Sequence, residues 1–274
     1  MTVHRTYIPQ APLSAFVHMF WLYEGQYQQH ARERRLPDGS MELVINLRED
    51  TLRVYDRQHH DQFQSFRGGL ISGAHSEFIV IDTTCLASII GVHFKPGGAF
   101  PFLTVPAGEL HDEIVSLETL WGATASDLRD QLREASTPET RFRVLERSLL
   151  ARAAQPLARH PAVAFALKEF RYVPHLRTIS DVTEHIGLSP KRFIQVFSEE
   201  VGLTPKLFCR VRRFQEVLRL IEKGQHIEWA EIALTCGYFD QAHCIHDFRA
   251  FSGLNPTTYL THRGEHRNHV PLGD

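Results

Sequence analysis

Long apolar runs are missing from this chain. No stretch approaches the roughly 18 uninterrupted apolar residues that a membrane helix needs, so no membrane partner is expected. The first residues, Met1 to Pro9, include His4 and Arg5 and lack the unbroken apolar core of a secretory signal. Cysteine is scarce: four in 274 residues, at 85, 209, 236 and 244. So few in so long a chain do not make a disulfide framework, and reduced thiols in a cytoplasm are the expectation. Net charge is small, −2, so bulk electrostatics neither demands nor supports a nucleic-acid partner. Residues 160–274 hold 14 basic and 13 acidic side chains and nine of the 17 histidines, while residues 1–159 hold 16 and 19. Any case for DNA must rest on where the basic groups sit. With 43% hydrophobic and 23% charged residues, the composition is that of an ordinary globular protein with room for two domains.

What the sequence does have is an internal repeat. Gly187 matches Gly237 at an offset of 50, and Phe197, Gly202 and Pro205 match Phe248, Gly253 and Pro256 at 51. The second copy is therefore one residue longer in its turn. Each copy reads as helix, tight turn, helix. In the first, Thr178 and Asp181 fit a capping box, and Ile179, Val182 and Ile186 recur at helical spacing. Gly187 supplies a positive φ, and Ser189-Pro190 caps and starts the next helix. Phe193, Val196, Phe197 and Val201 line its inner face. The second copy starts less firmly at Glu228-Trp229, with Asp240 as the cap of its second helix. Between the copies, Leu207, Val211, Phe214, Val217, Leu218 and Ile221 form the apolar stripe of one helix. It runs from Pro205 to Gly224, a strut of about 18 residues and roughly 27 Å.

These motifs are Gly187-Leu188-Ser189-Pro190-Lys191-Arg192-Phe193, Gly202-Leu203-Thr204-Pro205, Arg210-Val211-Arg212-Arg213-Phe214, Gly237-Tyr238-Phe239-Asp240-Gln241-Ala242-His243, and Phe251 to Tyr259. Over residues 175–260 the chain resembles the DNA-binding domain of the AraC/XylS family of bacterial transcription regulators. The resemblance implies a seven-helix unit that places two recognition helices in adjacent major-groove segments on one face of double-stranded DNA. By the family pattern, Lys191, Ile194 and Gln195 would meet base edges and Arg192 a phosphate, with Ser198 also outward. Glutamine suits adenine, lysine or arginine guanine, and an apolar side chain the thymine methyl. In the second copy Gln241, Ala242, His243, Ile245 and His246 would face outward. His246 stands where the family often has Arg, and Cys244 where it usually has Phe or Leu. Of Arg210, Arg212 and Arg213, one is expected to pair with an acid inside the domain and the others, Arg212 among them, to reach phosphates.

Residues 36–94 read as short β runs separated by turns, namely 41–47, 51–55, 77–82 and 86–94. Two helices follow at 116–134 and 137–153, and 156–161 is the expected joint. The phrases Leu36 to Leu47 and Gly91 to Phe100 resemble the N-terminal domain of one branch of AraC-type regulators, which is similar to the family's cupin-like sensory barrels. The expected fold is thus α+β. A small β-barrel with helices, residues 1–155, would sense an effector. An all-α domain, residues 160–265, would carry two helix-turn-helix units joined by a linker helix. Glu42, Asn46, His75 and His93 would line an effector cavity, with Trp21, Tyr23 and Phe100 as its apolar wall. Lys95-Pro96-Gly97-Gly98 lacks the order of a phosphate loop and reads as a turn.

No nucleophile and base stand at a recognisable spacing, so no enzyme, cofactor or metal is expected. Cys236, His243, Cys244 and His246 have zinc-ligand chemistry but the wrong placement along their helix. The rival reading is a thiol or metal sensor or repair protein fused to an AraC-type domain, and it requires a reactive Cys85. The leading reading is a cytoplasmic, sequence-specific DNA-binding transcription regulator. RNA polymerase would be its partner if it activates, a small molecule its effector, and a homodimer is an open expectation through residues 116–153.

Overall fold

The computed structural model describes residues 3–25, 31–84, 87–153, 157–172, 179–223, 228–264 and 266–272. Thr178, Cys85, Pro156 and Gly224 lie outside these residues, and so do the expectations placed on them.

The first half is built from β1 (Val3–Tyr7), β2 (Val17–Glu24), β3 (Arg32–Arg35), β4 (Glu42–Asn46), β5 (Thr51–Tyr55), β6 (Phe63–Arg67), β7 (Gly69–Ser72), β8 (Ile79–Asp82), β9 (Ser88–Phe94) and β10 (Ile114–Ser116). Three helices follow: α1 (Leu117–Trp121), α2 (Ala123–Glu134) and α3 (Pro138–Arg152). Among the described residues the strands make two antiparallel sheets rather than one closed ring. One runs β1-β2-β9-β4-β7-β10. The other runs β3-β8-β5-β6 and gains β11 (His269–Pro271) at its β3 edge. The sheets meet through a small apolar cluster of Leu52, Phe66, Leu70 and Ile89, with Trp21, Tyr23, Val44, Val54 and Ile114 packed on it. The expected helix at 116–134 is broken at Gly122, whose φ of 60° no side-chain-bearing residue adopts readily. Thr137 caps α3 as expected, accepting from Thr140 N–H.

The second half is helical: α4 (Pro161–Tyr172), α5 (Ile179–Ile186), α6 (Pro190–Val201), α7 (Pro205–Lys223), α8 (Trp229–Thr235), α9 (Gln241–Ser252) and α10 (Pro256–His262). The repeat is visible in its punctuation. Ser189 and Asp240 cap α6 and α9, accepting from Arg192 N–H and His243 N–H, and Gly202 and Gly253 end them in the left-handed region. Rings of Phe170, Phe193, Phe197 and Phe208 pack around α6, and Phe214, Phe248, Phe251 and Tyr259 around α9. The strut α7 spans 19 residues, about 28 Å.

One apolar core runs through both halves, and the two halves touch at matching places in the repeat. A Cβ on Gly202 would fall 3.2 Å from Ala107 O, Ala74 Cβ and Met41 Cε, and one on Gly253 would fall 2.4 Å from the Phe78 ring. α6 and α9 are therefore both docked by their C-terminal ends against the sheet half. The Lys95–Gly98 turn is a joint of the same kind. Lys95 Nζ donates to Ser14 O and Arg159 to Pro96 O. The last residues return too. β11 pairs with β3, while Gln215 of α7 donates to both Pro37 O and Asn268 Oδ1.

Candidate nucleic-acid interface

α6 and α9 each bury one face and leave the other in solvent. On α6, Phe193, Val196 and Phe197 are buried, while Lys191, Arg192, Ile194 and Gln195 are exposed. Gln195 Nε2 donates to Glu199 Oε1 one turn on (2.8 Å), which pre-orients the amide along the helix. Ser198 departs from expectation. Its hydroxyl is buried without a partner, and Gly108 of the sheet half lies against its backbone. The end of α6 at Ser198 faces protein.

On α9, Gln241, Ala242, His243 and His246 are exposed, Ile245 is half-buried, and Cys244, Asp247 and Phe248 are buried. His243 sets its ring edge-on to Tyr238 at 5.2 Å. Of the linker arginines, Arg210 pairs with the buried Asp247 (2.7 Å) and lies 5.3 Å over the Phe251 ring. Arg213 is also committed inward, donating to Gly237 O and stacking 4.8 Å over Tyr238. Arg212 is half-buried and already has a partner in the fold. The sequence reading passed over Phe239 and Arg249. Both are exposed beside the outer face of the second unit, and the signal for Phe239 was the single residue by which the second turn exceeds the first.

The described thiols are Cys209, half-buried, and Cys236 and Cys244, both buried. Burial pushes Cys209 and Cys236 up to about 12 and Cys244 to about 11, far from the thiolate a redox sensor or zinc site requires. Among the described residues no group of three His, Cys, Asp or Glu side chains is placed to hold a metal.

In the sheet half, three of the expected lining residues come together. Trp21 Nε1 donates to Glu42 Oε1 (2.9 Å), and His93 Nδ1 stands 3.7 Å from the same oxygen. Trp21 lies across Gly91, where a Cβ would fall 2.3 Å from its ring. Arg35, which the sequence reading missed, pairs with Glu42 at 2.6 Å, and Asp38 reaches His93 at 3.5 Å. Burial alone would raise the Glu42 carboxyl, but Arg35 and His93 outweigh it and hold it at about 2. The reverse contest raises His93: burial opposes its charge, and Glu42 and Asp38 win. Tyr23 packs on the apolar cluster between the sheets.

The other three do not join this group. Asn46 is spent on the β4–β5 turn, its Oδ1 accepting from Arg48 N–H and Glu49 N–H. His75, whose charged form burial disfavours, bonds Ser72 Oγ and faces Asp112. Phe100 opens the short turn Phe100–Phe102, which packs against α6.

Residues 182–262 match the family model of a helix-turn-helix domain, and residues 5–116 match that of a domain of unknown function (DUF6597). Residues 182–262 are a helix-turn-helix domain. No curated protein matches the chain. Among solved structures, the chain is similar to ToxT from Vibrio cholerae, with 6% identity over 95% of this chain and 98% of that one and a TM-score of 0.45. It is also similar to the C-terminal domain of AraT, a response regulator from Geobacillus stearothermophilus, with 22% identity over 39% and 91% and a TM-score of 0.36. A DNA-binding transcriptional dual regulator from Escherichia coli K-12 gives 22% over 37% and 94%, with a TM-score of 0.32. Among the described residues, no helix is long and apolar enough to cross a membrane.

Proposed function

We propose that this protein is an AraC-type transcription regulator that works in the cytoplasm and reads a specific DNA sequence with α6 and α9 in adjacent major-groove segments of one duplex face. The observation that carries the reading is the pair of capped helices with solvent-facing polar starts, set on the two ends of one 19-residue strut. Lys191, Ile194 and Gln195 meet base edges on the first segment, and Gln241, Ala242 and His243 on the second. Arg192 binds phosphate, while Ile245 and His246 lie along the groove wall. Ser198 and Arg212 serve the fold first, given what they pack against.

The sheet half, roughly residues 1–155, governs this activity through a small molecule or partner bound near Trp21, Glu42 and His93. Arg35 supports a route for such control. It clamps Glu42 and stands in register with His269 of β11, whose own ring bonds Glu33 at 2.8 Å. A ligand that competes for Glu42 or Arg35 pulls on the strand tied to the end of the DNA-binding half. Where the regulator activates, RNA polymerase is its further partner. A homodimer would form through α2 and α3.

Selection of bound sequences from random DNA by the full-length protein, with and without cell extract, tests the reading. A single enriched site with two half-elements about one helical turn apart is expected. No enrichment at low salt under either condition overturns it.

A further inference from the structure

The two turns of the repeat align residue by residue except at one place. Gly187 and Gly237 both take positive φ, 67° and 74°. Leu188 and Tyr238 both pack inward, and Ser189 and Asp240 both cap a recognition helix. Phe239 has no counterpart.

Its neighbours explain where it points. Tyr238 is 3% exposed, with the Arg213 guanidinium over its ring and His243 edge-on to it. Arg213 also holds Gly237 O, and Asp240 Oδ1 accepts from His243 N–H at 2.7 Å. The turn is thus fixed on its inner side and α9 starts immediately after it. Phe239, between these two anchors, stands out at 87% exposed, the most exposed large apolar side chain among the described residues. A phenyl ring so placed adds nothing to the core. It lies at the end of α9 that a helix-turn-helix presents to base edges, next in the chain but one to Gln241.

We infer that Phe239 is a DNA-reading residue whose ring packs against the C5 methyl of a thymine in the major groove beside the start of α9. This rests on the reading of α9 as a recognition helix. An aromatic ring on a thymine methyl is a recognised base contact. It suits a helix start that carries Gln241, Ala242 and His243 and no Lys or Arg. The second unit adds by apolar fit what the first gains from Lys191 at its start. The contact releases no counterion, so it adds affinity without adding salt dependence.

The test uses full-length protein and the sequence it selects from random DNA. Each thymine of the second half-element is replaced in turn by uracil, which lacks only the methyl. One replacement should weaken wild-type binding about fourfold, the worth of one buried methyl-sized group. Phe239→Ala should weaken binding to the unmodified site about tenfold, with unchanged salt slope and unchanged thermal midpoint. That variant should then be indifferent to the same uracil. The inference is overturned if Phe239→Ala binds as wild type does, or if it keeps full uracil sensitivity. A variant that binds normally but loses transcription in the presence of RNA polymerase also overturns it, assigning the ring to a protein surface. Wild-type protein that selects no sequence at all fails the underlying reading instead, before the variant is reached.

Discussion

Set side by side at an offset of 51, the two helix-turn-helix units keep the same caps and change almost everything the caps enclose. Phe193 of the first becomes Cys244 in the second, Val196 becomes Asp247, and Glu200 becomes Phe251. The first unit is filled by rings and aliphatics, with its one buried carboxylate at the end that meets the sheet half. The second has a smaller central side chain and spends the space on a salt bridge, Asp247 to Arg210 of the strut. Tyr238 in place of Leu188, and Trp229 edge-on to Phe248 at 6.4 Å, supply the apolar volume that Cys244 gives up. The outward faces diverge as far: Lys191 and Arg192 are matched by Ala242 and His243. A duplicated frame thus presents two outer faces of different chemistry. Backbone punctuation is what the repeat preserves, because a cap or a left-handed glycine has few substitutes, whereas an interior needs only volume and satisfied polar groups.

The sharpest way to break this comparison is to give the second unit the first unit's residue. Asp247→Val strands the Arg210 guanidinium, which is one-third exposed, and should cost about 3 kcal/mol in a denaturant titration. Adding Arg210→Leu should recover most of it, because an apolar pair of similar volume replaces the ion pair. A single variant as stable as wild type would show that the ion pair does not hold α9 to the strut.

The C-terminal docks come next. Gly202 and Gly253 both have positive φ, so alanine at either strains the backbone by about 1 kcal/mol. At Gly253 the added methyl also meets the Phe78 ring, which must move. Gly253→Ala should therefore lower stability more than Gly202→Ala, to about 2 kcal/mol, and Phe78→Ala should relieve only the former. Equal costs, or no relief, would mean that the second recognition helix is not held against the sheet half as the first is.

A third effect separates the two readers in DNA binding. Arg192→Ala should reduce the slope of log affinity against log salt by about 1, as loss of one phosphate contact does. Gln241→Ala should leave that slope alone and relax preference at one base pair by about 1–3 kcal/mol. Reversed behaviour would exchange the roles assigned to the two helix starts.

How much of this was legible in the sequence depends on the kind of signal. Ser189, Thr137, Asp240, Gly202 and the Pro205–Lys223 strut were readable because caps, glycines and a 3.6-residue stripe are local. Four strands in the region 36–94 were readable as short β runs between turns, although β8 and β9 begin two residues later than expected. β1, β2, β3, β6, β7 and β10 were not: β3 and β10 find their partners only far along the chain, while β6 has a largely exposed sequence although it pairs with the neighbouring β5. β11 is the extreme case: three residues past the helical half become a strand only because β3 offers an edge. The inward face of α6 was legible, but the burial of the Ser198 hydroxyl was not, since the segment at Gly108 that lies against this residue is distant in sequence. The effector residues fared according to the same rule. Register brings Glu42 opposite His93, while Asn46 was lost to a local turn whose hydrogen bonds use up its carbonyl oxygen.

The smallest expected effect tests the buried position where the first unit carries a carboxylate, Glu200, and the second a phenyl ring, Phe251. Glu200 is 6% exposed, and its carboxylate accepts from His160 N–H at 2.9 Å. Burial pushes its pKa up, and the His160 N–H and the Arg159 guanidinium only partly offset this. The folded state then holds a proton more firmly than the unfolded chain does. Stability contributed by this group is greatest below the ordinary glutamate value of about 4.3. It falls as pH rises from there to the raised folded value, and is flat above. Glu200→Gln keeps the shape and an acceptor for His160 N–H, so the difference in stability between variant and wild type should grow in the variant's favour through that window. A conservative change at Phe251, such as Phe251→Leu, has no proton to lose and should shift stability equally at every pH. If the Glu200→Gln difference runs the other way, the carboxylate is stabilised in place by its partners more than burial opposes it. The two units would then differ in shape alone at this position.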